Sequence, residues 1–249
     1  MGHEIYSGMS GGMRALQSLD TLSNNLANVN TNGFKADRPT FSLHAPAHAR
    51  GVPADSAEGR LAAAFSVLDG EATDYSQGAL KETGTSTDFA IKGDGFFRVG
   101  GEDGQTFFTR DGAFRVSPDG FLVTRDGLKV QNSTGGNLQV GTANFTVDES
   151  GQIRAGEEVK GTIAIADVED RSILAKSGSN RWTVPPKVEF LKGTGQMAQG
   201  YLEGSNVQPV RALTELIAVS RYYEAFQKGL EASGALDQQL NTQVGRADQ

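Results

Sequence analysis

The sequence predicts an α+β protein in which long N- and C-terminal helices pack as a coiled-coil-like pair and flank a central, mainly antiparallel β domain. Apolar residues follow helical spacing at both ends of the chain. Short β-branched and aromatic runs separated by Asp-Gly pairs occupy the middle. With 249 residues, 37% of them hydrophobic, the chain is long enough to bury a substantial core.

The N-terminal helix is predicted from apolar and small residues that recur every three or four positions. This row contains Ile5, Gly8, Gly12, Ala15, Leu19, Leu22, Leu26 and Val29. Such spacing is typical of a coiled-coil seam. Met9, Met13 and Leu16 form a second apolar row beside it, and one neighbouring helix would not cover both rows. We expect the helix to end at Asn32-Gly33, because Gly readily adopts the left-handed cap conformation.

A second helix is predicted near the C-terminus, where the same spacing returns. Its row contains Ala212, Leu216, Val219, Tyr223, Phe226 and Leu230. Pro209 falls in the first turn, where its missing N–H donor does no harm. The two rows together predict the coiled-coil-like pair.

The middle of the chain predicts antiparallel strands joined by tight turns. The runs "DFAIKG", "GFFRVG", "QTFFTR", "AFRVS" and "FLVTR" are separated by Asp-Gly pairs at 94–95, 103–104, 111–112, 119–120 and 126–127. Asp-Gly is a typical hairpin turn pair. Further strands are expected in 144–148, 151–154, 161–168 and 180–184. The stretch 44–64 is rich in Ala, Pro and Gly, which favours an extended connector.

The residue types that catalysis and metal binding require are scarce in this sequence. There is no cysteine, and the three histidines lie outside the β-rich region. His44 and His48 flank Pro46, which disfavours a helix that would align them as metal ligands. The Asp-Gly pairs lack the spacing of a calcium loop, and the glycines lack the phosphate-binding pattern. We therefore expect no enzyme activity, no metal, no cofactor and no small-molecule substrate.

Two further properties bear on partners and on secretion. The formal net charge of -7 argues against a nucleic-acid partner. The N-terminus lacks the basic region, apolar core and cleavage site of a secretory signal, so any export is expected to use another route.

Several motifs resemble those of the rod and hook family, the axial proteins of the bacterial flagellum. "NNLANVNTNGFK" closely resembles the N-terminal signature of that family, and "TDFAIKGDGFFRV" and "FFTRDGAFRVSPDGFLVTRDGLKV" resemble its middle-domain motifs. "GYLEGSNVQPVRALTELIAVSRYYEAFQKGL" resembles its C-terminal helix. Within the family, the opening "MGHEIYSGMSGG" and the segment "LEGSNV" look most like the proximal rod subunit. The distal rod subunit is the close competitor.

The resemblance implies a structural subunit of the basal-body rod. Such a subunit is secreted unfolded through the flagellar export apparatus without a cleaved signal. It then polymerises helically around the channel in the periplasm, with copies of itself and other rod proteins, and transmits torque. The implied domains are an inner assembly domain made of the helices in 1–35 and 201–249, an extended connector in 36–82 and a central β-rich domain in 83–200. A secreted binding module or adhesin is the alternative.

The predicted assembly interface follows from the two apolar rows and the asparagines among them. Asn24, Asn25 and Asn28 are expected to meet neighbouring subunits, because buried amide pairs fix the register of helices. A solvated asparagine face is the alternative. The full set is Ile5, Met9, Met13, Leu16, Leu19, Leu22, Asn24, Asn25, Leu26, Asn28, Val29, Gly33, Phe34, Leu216, Val219, Tyr223, Phe226 and Leu230.

Overall fold

The computed structural model describes residues 2–44, 65–101, 104–178, 180–185, 188 and 190–247. The chain divides into two compact units. The first unit is made of Met1–Leu26, Asp37–Ala72 and Gln208–Gln249, and the second of Ala27–Ala36 and Thr73–Val207. Both units are therefore built from separated stretches of the chain. His48, Asp103 and the connector residues 45–64 lie outside the described residues.

The first unit contains two helices and two paired strands. Helix α1 covers Gly2–Ala27 and helix α2 covers Pro209–Ala247. Strand β1, Asp37–His44, pairs with strand β2, Phe65–Thr73. Pro209 opens α2 as expected, because a helix leaves the first N–H groups without intrahelical acceptors. Both predicted helices are confirmed, but α1 ends at Ala27 and not at Asn32-Gly33 as expected.

The predicted coiled-coil-like pairing of these helices is wrong. The helices meet at small residues, where a Cβ built on Gly12 would collide with the Phe226 ring. A recess of about 410 Å³ also lies between them, lined by Gly11, Arg14, Ala15, Ser18, Ala218, Val219 and Tyr222.

The larger residues of the predicted seam are incompletely buried. Leu19, Leu22 and Leu26 are only half-buried, and Ala212 is the one buried side chain among those that the structure describes on α2. Helix α1 ends at Ala27, so Val29 falls in the turn beyond it. The regular spacing of apolar residues predicted each helix, but it did not predict which part of the protein each apolar row would pack against.

The second unit contains the remaining strands that the structure describes. They are β3 (Leu80–Glu82), β4 (Phe89–Lys92), β5 (Phe96–Gly100), β6 (Thr106–Thr109), β7 (Arg115–Val116), β8 (Leu122–Val123), β9 (Lys129–Val130), β10 (Thr146–Val147), β11 (Gln152–Ala155), β12 (Glu158–Thr162), β13 (Ile165–Asp167), β14 (Ala175–Lys176), β15 (Arg181–Thr183), β16 (Leu191–Lys192), β17 (Gln196–Gln199) and β18 (Tyr201–Glu203). A short 3₁₀ helix covers Arg171–Ile173. The strand pairs of this unit are antiparallel, as predicted.

The largest sheet has the strand order β14-β15-β6-β5-β9-β8-β7, with β13 joining β5 and β16 joining β13. Two of the expected Asp-Gly turns connect its neighbouring strands. Gly120 and Gly127 have φ of 79° and 90°, a left-handed conformation that side chains other than glycine rarely adopt. Elsewhere, β17 pairs with β4 and β18 pairs with β3, so the last strands of the unit complete the first ones.

Two groups of buried side chains form the core of the second unit. One group is centred on Phe89, Phe97 and Ile153 and gathers strands from several of the sheets. The other is aromatic and contains Phe96, Phe108 and Trp182, and the Phe96 and Trp182 rings are 5.5 Å apart.

Candidate assembly interface

Part of the predicted interface lies on the outer surface of α1. Met13 and Leu16 are exposed, in agreement with a second apolar row that one neighbouring helix does not cover. Ile5 and Met9 lie in the first half of α1. Exposed apolar side chains that are contiguous mark surfaces that bind other molecules. The structure thus leaves Met13 and Leu16 exposed in the single chain.

Helix α2 presents an apolar row that the sequence analysis missed. Val210, Leu213 and Ile217 are exposed, with 78% of Val210 and 52% of Ile217 accessible. Their spacing of three and four residues could have revealed the row, but the longer row from Ala212 to Leu230 dominated the pattern. On that predicted row, Leu216, Val219, Tyr223 and Phe226 are half-buried and Leu230 is exposed.

Asn25 makes its hydrogen bonds within the chain. Its Nδ2 donates to the Asp37 carbonyl at 2.8 Å, and the Asp37 N–H donates to Asn25 Oδ1 at 2.9 Å. Asn24 is exposed, and the half-buried Asn28 accepts a hydrogen bond from the Thr31 hydroxyl at 3.2 Å. The three asparagines therefore have different surroundings, although all three were expected to meet neighbouring subunits.

The segment after α1 is bound into the second unit. The N–H of Gly33 donates to the Glu203 carbonyl at 2.8 Å, and Gly33 has a φ of 67°. A Cβ at this position would collide with the backbone of Arg110 and Asp111. Phe34 is buried, and the Lys176 Nζ lies 5.0 Å from the centre of its ring. Gly33 and Phe34 thus contribute to the packing of the subunit itself.

Next to this segment lie three buried charged residues that contact one another, Lys35, Arg110 and Glu203. We call them the Glu203 cluster. Lys35 Nζ lies 2.6 Å from Glu203 Oε1, and Arg110 Nη1 lies 3.0 Å from Glu203 Oε2. The N–H of Gly78 also donates to Glu203 Oε1, at 2.9 Å, and Lys35 Nζ donates to the Ser76 carbonyl at 2.7 Å. Every charge in the cluster therefore has a partner at hydrogen-bonding distance.

Burial dominates the electrostatics of the Glu203 cluster. The exposed fractions of Lys35, Arg110 and Glu203 are 1%, 3% and 0%. Burial lowers the pKa of Lys35 below its ordinary value, and the Glu203 carboxylate opposes that shift. Unpaired charges at such depth are strongly unfavourable. The sequence did not predict that Arg110 and Glu203 interact. Arg110 lies in the motif "FFTRDG" and Glu203 in the motif "YLEGSN".

Two other kinds of feature are absent from the part of the chain that the structure describes. Within the described ranges, no three His, Cys, Asp or Glu side chains gather in a way that could hold a metal ion. Across the same ranges, no helix combines the length and apolar character needed to cross a membrane.

Comparison with known proteins gives family matches along the chain. Residues 5–35 match the family described as flagella basal body rod protein. Residues 90–155 match the flagellar hook protein FlgE/F/G D1 domain, and residues 198–243 match the flagellar basal body rod FlgEFG protein C-terminal family. These ranges cover the three sets of motifs on which the resemblance rested, apart from the first three residues, 87–89, of one middle-domain motif.

Whole-chain relatives agree with those matches. The flagellar basal-body rod protein FlgF of Caulobacter vibrioides is 33% identical over 253 residues, covering 99% of both chains. The flagellar basal-body rod protein FlgG of Agrobacterium fabrum is 33% identical, covering 87% of this chain and 90% of its own. FlgG of Bacillus subtilis is 32% identical, covering 95% of this chain and 97% of its own.

These relatives confirm the resemblance inferred from the motifs. The alternative, a secreted binding module or adhesin, has no support among them. The relatives are structural proteins, as expected for a chain that is not an enzyme. Of the three relatives named, FlgF is matched over the largest share of both chains. The chain belongs to the flagellar basal-body rod protein family and is a structural subunit of the basal body.

Proposed function

We propose that this chain polymerises helically around the export channel and forms part of the proximal rod, the periplasmic drive shaft that transmits torque. Its partners are copies of itself and other rod proteins. The similarity to FlgF over 99% of both chains supports the proximal position, and FlgG relatives make the distal rod the second candidate. The rod lies outside the cytoplasm, so we further propose delivery by the flagellar export apparatus without a cleaved signal.

The observation that carries this proposal is the exposed apolar surface of both helices. Met13 and Leu16 on α1, and Val210, Leu213 and Ile217 on α2, are open to solvent in the single chain. Burying one such side chain is worth about 1.5–3 kcal/mol, so several of them supply a strong drive for association. Neighbouring subunits in a rod would bury these rows.

Asn24 and Asn28 are proposed to add specificity to that association. Asn24 lies in the last turn of α1 and Asn28 in the turn directly after it, and both are close in sequence to the apolar residues of the N-terminal segment. Apolar contact alone leaves the register of two surfaces weakly defined. Amide side chains that must find partners when buried fix the register at some cost in stability.

The proposal is tested by placing a charge in the apolar row of α2. In a strain that lacks the chromosomal gene, Ile217→Asp in the full-length protein should abolish motility and reduce the yield of complete basal bodies. Ile217→Met is the matched control, because it keeps an apolar side chain of similar volume, and it should support normal assembly.

Two further measurements make the result specific. The circular dichroism of purified Ile217→Asp should match that of the unmodified protein, since Ile217 is exposed in the single chain. Export should be measured separately, as the amount of protein that reaches the culture medium. Normal motility of the Ile217→Asp strain would contradict the proposed role of this surface.

A further inference from the structure

The two ends of the second unit lie side by side. Lys35 and Glu203 are 168 positions apart in the sequence, yet their side chains are in direct contact. The backbones of the two ends are also in contact, because the Gly33 N–H donates to the Glu203 carbonyl at 2.8 Å. The Ala36 N–H donates to Asn206 Oδ1, also at 2.8 Å. Residues 33–36 and 203–206 therefore close the unit together.

The Glu203 carboxylate joins these two ends to a third part of the chain. It accepts hydrogen bonds from Lys35, Gly78 and Arg110, which belong to three separate parts of the chain. Without that carboxylate, the cations of Lys35 and Arg110 would lie buried beside each other. Two like charges in a buried site are far less favourable than two charges that share a counter-ion.

We propose that cooperative folding of the second unit depends on Glu203. The unit can close as one cooperative structure only when the Glu203 carboxylate occupies the site between Lys35 and Arg110. In this proposal the β domain is not stable on its own, and the Glu203 cluster does not simply attach residues 27–36 to it. The cluster couples the order of that segment to the order of the core strands.

The strand pairing supports this coupling. Strand β18, which ends at Glu203, pairs with β3, and β17 pairs with β4. Strand β4 contributes the fully buried Phe89 and Ile91 to the core. The last strands of the unit thus pair with its first strands. Because the chain is synthesised from its N-terminus, these pairs can form only after the rest of the unit has been made. Contacts between residues so far apart form only after the entropy of loop closure has been overcome.

The test is amide hydrogen exchange, resolved by peptide mass spectrometry, on the full-length purified protein. Glu203→Gln keeps the shape of the side chain and removes its charge. It should accelerate exchange by about a hundredfold or more in 27–36, β4 and β17 together, as expected when one partner of a buried ion pair is lost. The matched control is Glu158→Gln, because Glu158 pairs with Lys160 at 2.7 Å on the surface, with 72% of its side chain exposed. The control should leave exchange in all three segments unchanged.

A second set of variants makes the test specific for charge. Lys35→Met removes one cation while Glu203 keeps Arg110, so it should accelerate exchange in the same three segments by a smaller factor than Glu203→Gln. The double variant Lys35→Met/Glu203→Gln should exchange more slowly than Glu203→Gln alone, since one uncompensated cation has been removed.

Two results would overturn the proposal. In the first, Glu203→Gln, or Lys35→Met if the former does not fold, accelerates exchange in 27–36 while β4 and β17 keep their protection. The segment would then be an attachment to an independently stable domain. In the second, the double variant exchanges as fast as Glu203→Gln or faster. Neither result depends on rod assembly, so the proposed function stands or falls separately.

Discussion

The Asn25 side chain and the Asp37 backbone exchange two hydrogen bonds, of 2.8 and 2.9 Å, between the last turns of α1 and the first residue of β1. The amide of Asn25 therefore satisfies both polar groups of Asp37, as a neighbouring strand would do. This pairing explains why an asparagine occupies a helical position where alanine has the higher helix propensity. The side chain stabilises the tertiary structure of the first unit.

Asn25→Ala should therefore destabilise the protein, although it improves local helix propensity. The substitution removes both hydrogen bonds between the Asn25 side chain and the Asp37 backbone, at a cost of about 1–3 kcal/mol, whereas the gain in propensity is only about 0.7 kcal/mol. Urea denaturation followed by circular dichroism measures the change. The exposed Ser23 on the same helix is the control, and Ser23→Ala should leave the midpoint unchanged or raise it slightly.

Replacement of Asn24 and Asn28 together should separate helix stability from assembly. The variant Asn24→Ala/Asn28→Ala should raise the helicity of the isolated N-terminal segment, because alanine is the better helix former. It should also lower the yield of complete basal bodies, since the proposed amide contacts between subunits are lost. Higher helicity with an undiminished yield would favour the solvated asparagine face.

The stability of the second unit should depend on pH through Asp111. Burial raises the pKa of Asp111 above its ordinary value of 3.8. The folded protein therefore binds a proton that the unfolded chain has already released, and this group's contribution to stability falls as the pH rises from about 4 through the folded pKa. Above that range the buried carboxylate is charged and unfavourable.

Asp111→Asn should consequently raise the free energy of unfolding at pH 7, and the difference from the unmodified protein should vanish below about pH 4. The Ala113 N–H, which donates to Asp111 Oδ1 at 3.1 Å, keeps an acceptor in this variant. Asp94→Asn should have the opposite sign at pH 7, because the hydrogen bond from Arg171 lowers the pKa of Asp94. Denaturation curves at pH 3.5 and 7 would distinguish the two variants, and a destabilised Asp111→Asn at pH 7 would contradict the prediction.

The local features of this fold were predictable because they depend on neighbouring residues. Helical spacing located both helices, and the Asp-Gly pairs at 119–120 and 126–127 located turns between strands of the largest sheet. The coiled-coil-like pairing was a wrong prediction, since spacing defines a face without defining its partner. The contact between Lys35 and Glu203 was not predicted either, because a charge gives no signal of a partner 168 positions away.

Gly33 offers the last prediction, because its backbone conformation and its surroundings can be tested separately. Gly33 and Gly84 share a φ of 67°. A Cβ on Gly84 would meet no atom within 4 Å, whereas a Cβ on Gly33 would collide with the backbone of Arg110 and Asp111. Alanine at either position pays for the left-handed conformation, at a cost of about 1–2 kcal/mol. Of the two variants, only Gly33→Ala adds a collision with the backbone.

Gly33→Ala should therefore lower the free energy of unfolding by clearly more than Gly84→Ala does. The backbone of Arg110 cannot move away freely, because the Arg110 side chain is fixed by its 3.0 Å ion pair with Glu203. Urea denaturation of both full-length variants measures the difference, with the unmodified protein as reference. Equal losses would mean that the loop around Arg110 adapts to the added methyl group. The role of Gly33 would then be limited to its turn conformation.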